Sequence, residues 1–157
     1  MDVDNLGEEE VNKHVVRVGF SCDDTSLQLG EEKNSFGYGG TAKASTDCKF
    51  NDYGQTFQQD DVITCYLDLD DEKKTISFAK NGEDLGVCFD DLASVEEKAL
   101  YPHVLTKNTR FEVNFGQREE PHFPLKEGFT FINAVDAENR VRGPLPPGKP
   151  GLFIAII

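Results

Sequence analysis

The sequence predicts an all-β domain of antiparallel strands packed as a sandwich, and three observations carry that prediction. Ile63, Cys65, Leu67 and Leu69 fall on alternate positions with Thr64, Tyr66 and Asp68 between them, the period-2 pattern of a strand with one buried face and one that can meet water. Ile76 and Phe78 alternate likewise up to Lys80-Asn81-Gly82-Glu83, after which Leu85, Val87 and Phe89 return. Asn81-Gly82 supplies the positive φ angles of a tight primed turn, so these two runs form a hairpin. Short β-branched or aromatic runs bounded by turn-forming residues then recur along the chain, as in HVVRVGFS, SFGYGG, LYPHVL and RFEVNFG, the spacing of a β-sandwich.

Composition narrows the class. With 157 residues, 38% of them hydrophobic, the chain can bury one core of ordinary domain size. Its net charge of −13 disfavours a broad phosphate-neutralising surface and leaves room only for a local basic patch. The four cysteines, Cys22, Cys48, Cys65 and Cys88, form no C-x-x-C pair, and the start of the chain lacks the basic and apolar regions of a signal peptide, so they read as reduced thiols of an intracellular protein. Cys65 and Cys88 lie on strand positions where cysteine behaves as a small buried hydrophobe. No apolar run approaches membrane length, and no membrane partner is expected.

Taken in order, residues 1–13 carry Asp2, Asp4, Glu8, Glu9 and Glu10 with few apolar residues and read as an acidic, flexible lead. Val16, Val18 and Phe20 then share one strand face, and residues 22–34 read as a polar, exposed loop. Phe36 and Tyr38 alternate in a short strand that runs into a Gly-Gly turn. Residues 41–50 are polar, and NDYGQTF reads as a turn returning Phe57 to the core. After the central hairpin, Leu92, Val95 and Leu100 fit neither period, which leaves a single helical turn or a long loop. LYPHVL and RFEVNFG, with Phe111, Val113 and Phe115 alternating, give two further strands, and FTFINAV is a candidate for another. Residues 141–157 begin as a Pro/Gly-rich tail that cannot continue a ladder and end in the apolar, β-prone LFIAII.

The ordered series RVGFS, LGEE, SFGYGG, DYGQTF, DDVITCYLDLD, ISFAKNGEDLGVCF, ALYPHVL and FEVNFGQ resembles a SPRY domain over residues 14–117. Residues 118–140, with NFGQREEPHFP, GFTFI and RVRGP around them, resemble the extension that follows this domain in heterogeneous nuclear ribonucleoprotein U and its U-like relatives; the SPRY domain of a DEAD-box RNA helicase is the next nearest likeness but lacks the extension. The resemblance implies a curved antiparallel β-sandwich that binds other proteins through loops at one end and has no catalytic residues, within a nuclear protein of RNA processing. RNA would then be an indirect partner through the parent family. Phe20 stands where the family has tryptophan, and Thr64 where it has glycine; both suit a strand. The family's opening strands are not found ahead of RVG, which predicts unpaired edges or a bare apolar face.

By this resemblance the partner-contacting positions are Lys107, Asn108 and Thr109, in the loop after YP-x-V, with Tyr38, Lys43 and Arg110 as further candidates. An alternative is direct RNA or DNA contact through Arg17, Lys43, Lys49, Lys107 and Arg110, and another is a truncated chain without independent function. Catalysis finds no support. Gly37–Lys43 lacks the spacing and the helix of a phosphate loop. Asp68, Asp70 and Glu72 have calcium-loop spacing but are followed by Lys73 and Ala79 where glycine and glutamate are needed. His14, His103 and His122 are scattered, and a buried Cys65 would be a poor nucleophile. No cofactor, metal or small-molecule substrate is implied.

Overall fold

The computed structural model describes residues 14–69, 74–95, 98–118 and 120–139; the acidic lead, the acidic loop at 70–73 and the tail at 141–157 lie outside the described residues. Among the described residues, eight strands form two antiparallel sheets. β1 (Val15–Ser21), β2 (Ser35–Gly39), β3 (Lys43–Thr46), β4 (Lys49–Asp52) and β8 (Tyr101–Lys107) make a five-stranded sheet in the order β4-β3-β2-β1-β8, and β5 (Ile63–Asp68), β6 (Thr75–Lys80) and β7 (Glu83–Phe89) make the second in sequence order. The core lies between them. Phe20, Phe36 and Tyr38 from the larger sheet meet Cys65, Ile76 and Phe78 from the smaller one, as the alternating patterns require. The ring of Tyr38 sits at the centre, with centroids 5.2 Å from Tyr53, 5.2 Å from Phe57 and 5.1 Å from Phe78, the edge and tilted contacts aromatic rings favour.

The predicted hairpin forms as read: Ile63–Asp68 pairs with Thr75–Lys80, and Asn81 and Gly82 both take positive φ between β6 and β7. The alternation in β7 does not persist. Ser77 pairs with Val87 and Ala79 with Asp84, so Leu85 and Gly86 both oppose Phe78, and Val87, placed inward by its sequence period, turns out to 56% exposure. This is a β-bulge. The Tyr53 hydroxyl bridges it, donating to the Gly86 carbonyl at 2.7 Å and accepting from the Phe78 N–H at 3.3 Å.

Other segments are settled or corrected. The polar run at 41–50 is a hairpin of β3 and β4, joined through Asp47 and Cys48, both at positive φ. Phe111, Val113 and Phe115 are in no strand. There the side chains take the backbone's place: Asn114 Oδ1 accepts from the N–H groups of Gly116 and Arg118, and Gln117 accepts from the Phe115 N–H and donates to the Val113 carbonyl. Such local bonds compete directly with a ladder. FTFINAV likewise forms a 3-10 turn at Ile132–Ala134 rather than a strand. Residues 92–95 resolve the ambiguous segment as a single 3-10 turn (Ala93–Val95) that buries Leu92 and Val95.

The outer sheet faces are corrected as well. Residues 22–34 are solvated only in part: Leu29 is fully buried over Gly37, whose lack of a side chain leaves room for it, and the Leu29 carbonyl accepts from Arg17 Nη1 at 2.9 Å. Cys22 is buried at the start of the same loop. On the opposite side the extension lies on the second sheet. Phe129 packs edge-on to Tyr66 with centroids 4.9 Å apart. Lys126 sits over the same ring while bonding Ser77 Oγ and Asp84. Tyr66, Ser77 and Ala79, on the face expected to meet water, are accordingly buried.

Candidate functional site

One end of the sandwich gathers the start of β1, the turn between β2 and β3, the segment from Tyr53 to Val62, the β6–β7 turn and the exit of β8. Hydrogen bonds stitch these together. His14 Nδ1 donates to the Asn108 carbonyl at 3.0 Å, Gly40 N to the Val16 carbonyl at 3.2 Å, and Phe57 N to the Gly40 carbonyl at 3.1 Å. Asn81 joins the next pair: its N–H donates to the Val62 carbonyl, its Oδ1 accepts from Val62 N–H, and its Nδ2 donates to Asp61. The Gln58 N–H, then the Asn81 amide and Lys80, hold the Asp61 carboxyl below the usual carboxylate range.

Lys107 ends β8 and pairs with Val15; it and Asn108, Thr109 and Arg110 in the loop that follows are all exposed. The loop has a defined shape. Asn108 takes a left-handed φ of 53°, a conformation asparagine accepts more readily than most residues, and the Thr109 hydroxyl donates back to the Lys107 carbonyl at 3.1 Å. Phe111 follows with 53% exposure. It is the apolar member of this surface, and its sequence period, which placed it inside a strand, concealed it.

The weaker candidates fare differently. Tyr38 is corrected: it is fully buried, its hydroxyl bonds the Gln55 carbonyl, and burial pushes that hydroxyl's pKa up, so it shapes the site from beneath and presents nothing to a partner. Lys43 is half-buried and pairs across the hairpin with Asp52. The five cations considered for nucleic acid do not act together. Arg17 binds Glu31 at 3.2 Å and lies over the Phe50 ring, Lys43 is held by Asp52, and Lys49 by Asp47 at 3.1 Å. Neutralised cations release few counterions from a phosphate backbone.

Of the four thiols only Cys48 is exposed, and it donates to the Glu31 carbonyl. Burial pushes the thiols of Cys65 and Cys88 up, away from the thiolate a nucleophile needs. His103 lies 2.9 Å from Ser21 Oγ, and burial lowers its pKa. Among the described residues no three His, Cys, Asp or Glu side chains converge on a metal position.

A family model described as the SPRY domain matches residues 5–118. The chain belongs to the SPRY family. Among curated proteins, this SPRY domain is 48% identical over 134 residues to heterogeneous nuclear ribonucleoprotein U-like protein 2 of Mus musculus. It is 48% identical over 137 residues to the protein of the same name from Homo sapiens. Both matches cover 85% of the chain, which spans only 18% of the length of those relatives. The SPRY domain is also similar to a solved structure titled crystal structure of human SPRY domain, at 22% identity and a TM-score of 0.48, covering 60% of this chain and 68% of that one.

Proposed function

We propose that this SPRY domain is a non-catalytic docking module of a nuclear ribonucleoprotein U-like protein of RNA processing, and that it recruits a protein partner through residues 107–111. The observation that carries the reading is the loop itself. It is fixed at its base by the β1–β8 ladder and by His14, it turns through Asn108, and it presents Lys107, Thr109, Arg110 and Phe111 outward. An exposed loop held by a rigid scaffold keeps its donors in place before a partner arrives, which lowers the ordering entropy of binding. Names of relatives that are 48% identical support the ribonucleoprotein and nuclear setting. The raised thiols and the half-buried histidine support the absence of catalysis. The ion pairs on Arg17, Lys43 and Lys49 weigh against direct nucleic-acid contact.

Site-directed photocrosslinking tests the reading. A photoreactive amino acid at Thr109 is expected to form protein adducts in nuclear extract, while the same group at Leu27, which is 81% exposed at the opposite end of β1, forms none in common with it. Identical adduct patterns from the two positions, or adducts to RNA alone at 109, would refute the docking role.

A further inference from the structure

We propose that the 107–111 loop takes a carboxylate-rich peptide segment of a partner protein, its carboxylates pairing with Lys107 and Arg110 and an apolar side chain covering Phe111. This rests on the docking role proposed above and adds the chemistry of the partner.

Charge pairing over the rest of the molecule carries the inference. Of the eleven lysines and arginines among the described residues, seven form ion pairs with carboxylates. In a chain with net charge −13 that is the expected fate of a cation, because carboxylates are plentiful. Lys107, at the end of β8, and Arg110, in the loop that follows, form no ion pair among the described residues. Glu112, the carboxylate next along the chain, is engaged by Arg118 at 2.8 Å and does not neutralise Arg110. The backbone at both cations follows from the left-handed turn at Asn108 and the Thr109 hydroxyl bond, so the two side chains spring from neighbouring, set points before binding. Beside them, Phe111 leaves half of an aromatic ring in water, and aromatic residues with arginine make the strong contacts of protein interfaces. A cationic pair next to an exposed ring matches a segment that alternates acidic and apolar residues.

Two other occupants share part of this chemistry. The chain's own residues 2–10 hold five carboxylates and join the fold at His14, whose ring bonds the Asn108 carbonyl; tethering gives them a high effective concentration. A phosphate backbone is the other, and it offers charge without an apolar anchor.

The test is fluorescence anisotropy on the full chain with a labelled probe peptide, Glu-Asp-Glu-Leu-Phe-Glu-Asp-Glu, its Gln/Asn counterpart, and a labelled uridine octamer. The acidic probe is expected to bind most tightly, and raising salt from about 50 to about 500 mM should weaken it. The double variant Lys107→Glu/Arg110→Glu should weaken it by at least about tenfold, and Phe111→Ala by several-fold, since each lost contact of this kind approaches a factor of ten. Lys33→Glu, at an exposed cation in a different loop, should leave binding within about twofold, as expected for an exposed charge outside the site. Unchanged unfolding temperatures would show that the variants fold. Equal binding of the Gln/Asn peptide, tighter binding of the uridine octamer, or no effect of the double variant would overturn the proposal. So would probe binding that appears only after Asp2, Asp4 and Glu8–Glu10 are all neutralised, because the chain's own lead would then be the occupant. A protein crosslink at Thr109 with no acidic-probe binding would reject the acidic partner and leave the docking role standing.

Discussion

Leu27 and Leu29 sit two residues apart in the same acidic loop, and their fates differ completely: one is 81% exposed and the other fully buried. Replacing Leu29 by alanine removes three carbons from an apolar contact with the Gly37 backbone, at about 0.8 kcal/mol each, or about 2.4 kcal/mol of transfer free energy. The cavity left between loop and sheet adds to this, though a surface loop can partly collapse into it, so the total is about 2–4 kcal/mol. For a domain of this size that lowers the unfolding temperature by on the order of 10 °C. Leu27→Ala should stay within about 0.5 kcal/mol of the parent, as for most surface substitutions. Urea and thermal unfolding of the two variants followed by circular dichroism measures both. Equal shifts would mean that the loop does not seal the sheet and that its placement over Gly37 is wrong.

The same reasoning on the opposite face predicts that Phe129→Ala destabilises by about 1–3 kcal/mol through loss of the edge contact to Tyr66; chemical denaturation would show no change if the extension merely hung from the domain. His103 gives the pH dependence a sign. Burial lowers its pKa in the folded state, so the unfolded chain binds more protons between the two values, and stability falls as pH drops below the ordinary histidine value of about 6.5 and levels off beneath the folded one. Unfolding temperatures from pH 7.5 to 5 should decline in the parent and decline less in His103→Gln; parallel curves would remove the histidine from the account.

The parts of the fold that could be read from sequence were those where a local pattern and the tertiary environment agree. Ile63, Cys65 and Leu67 do face the core, and Asn81-Gly82 does turn the hairpin, because period and turn chemistry are short-range properties. Three features escaped for the opposite reason. Leu29 is a single apolar residue with polar neighbours, so no period marks it, and only the glycine on a distant strand explains its burial. Val87 was displaced by a bulge whose partner, Tyr53, lies more than thirty residues away. Phe111, Val113 and Phe115 have a strand's pattern, yet Asn114 and Gln117 satisfy the backbone locally and no ladder forms. The candidate loop was placed by the family resemblance, after YP-x-V, and the structure leaves it exposed. That Tyr38 lies beneath that end rather than on it could be known only from the packing of Tyr53, Phe57 and Phe78 around its ring.

Asn81 has a consequence for how the protein ages. An asparagine followed by glycine is the pair most open to spontaneous deamidation, in which the next backbone nitrogen attacks the side-chain carbonyl and ammonia leaves. Here bonds from the Val62 N–H and to Asp61 pin the side chain against the neighbouring segment, so the rotation that brings its carbonyl carbon onto the Gly82 nitrogen requires them to open. The product would set a second carboxylate against Asp61, and the two would repel where an amide once bridged them. Slow accumulation of an acidic species at position 81 would therefore act as a clock, recording how often this end of the sandwich comes apart.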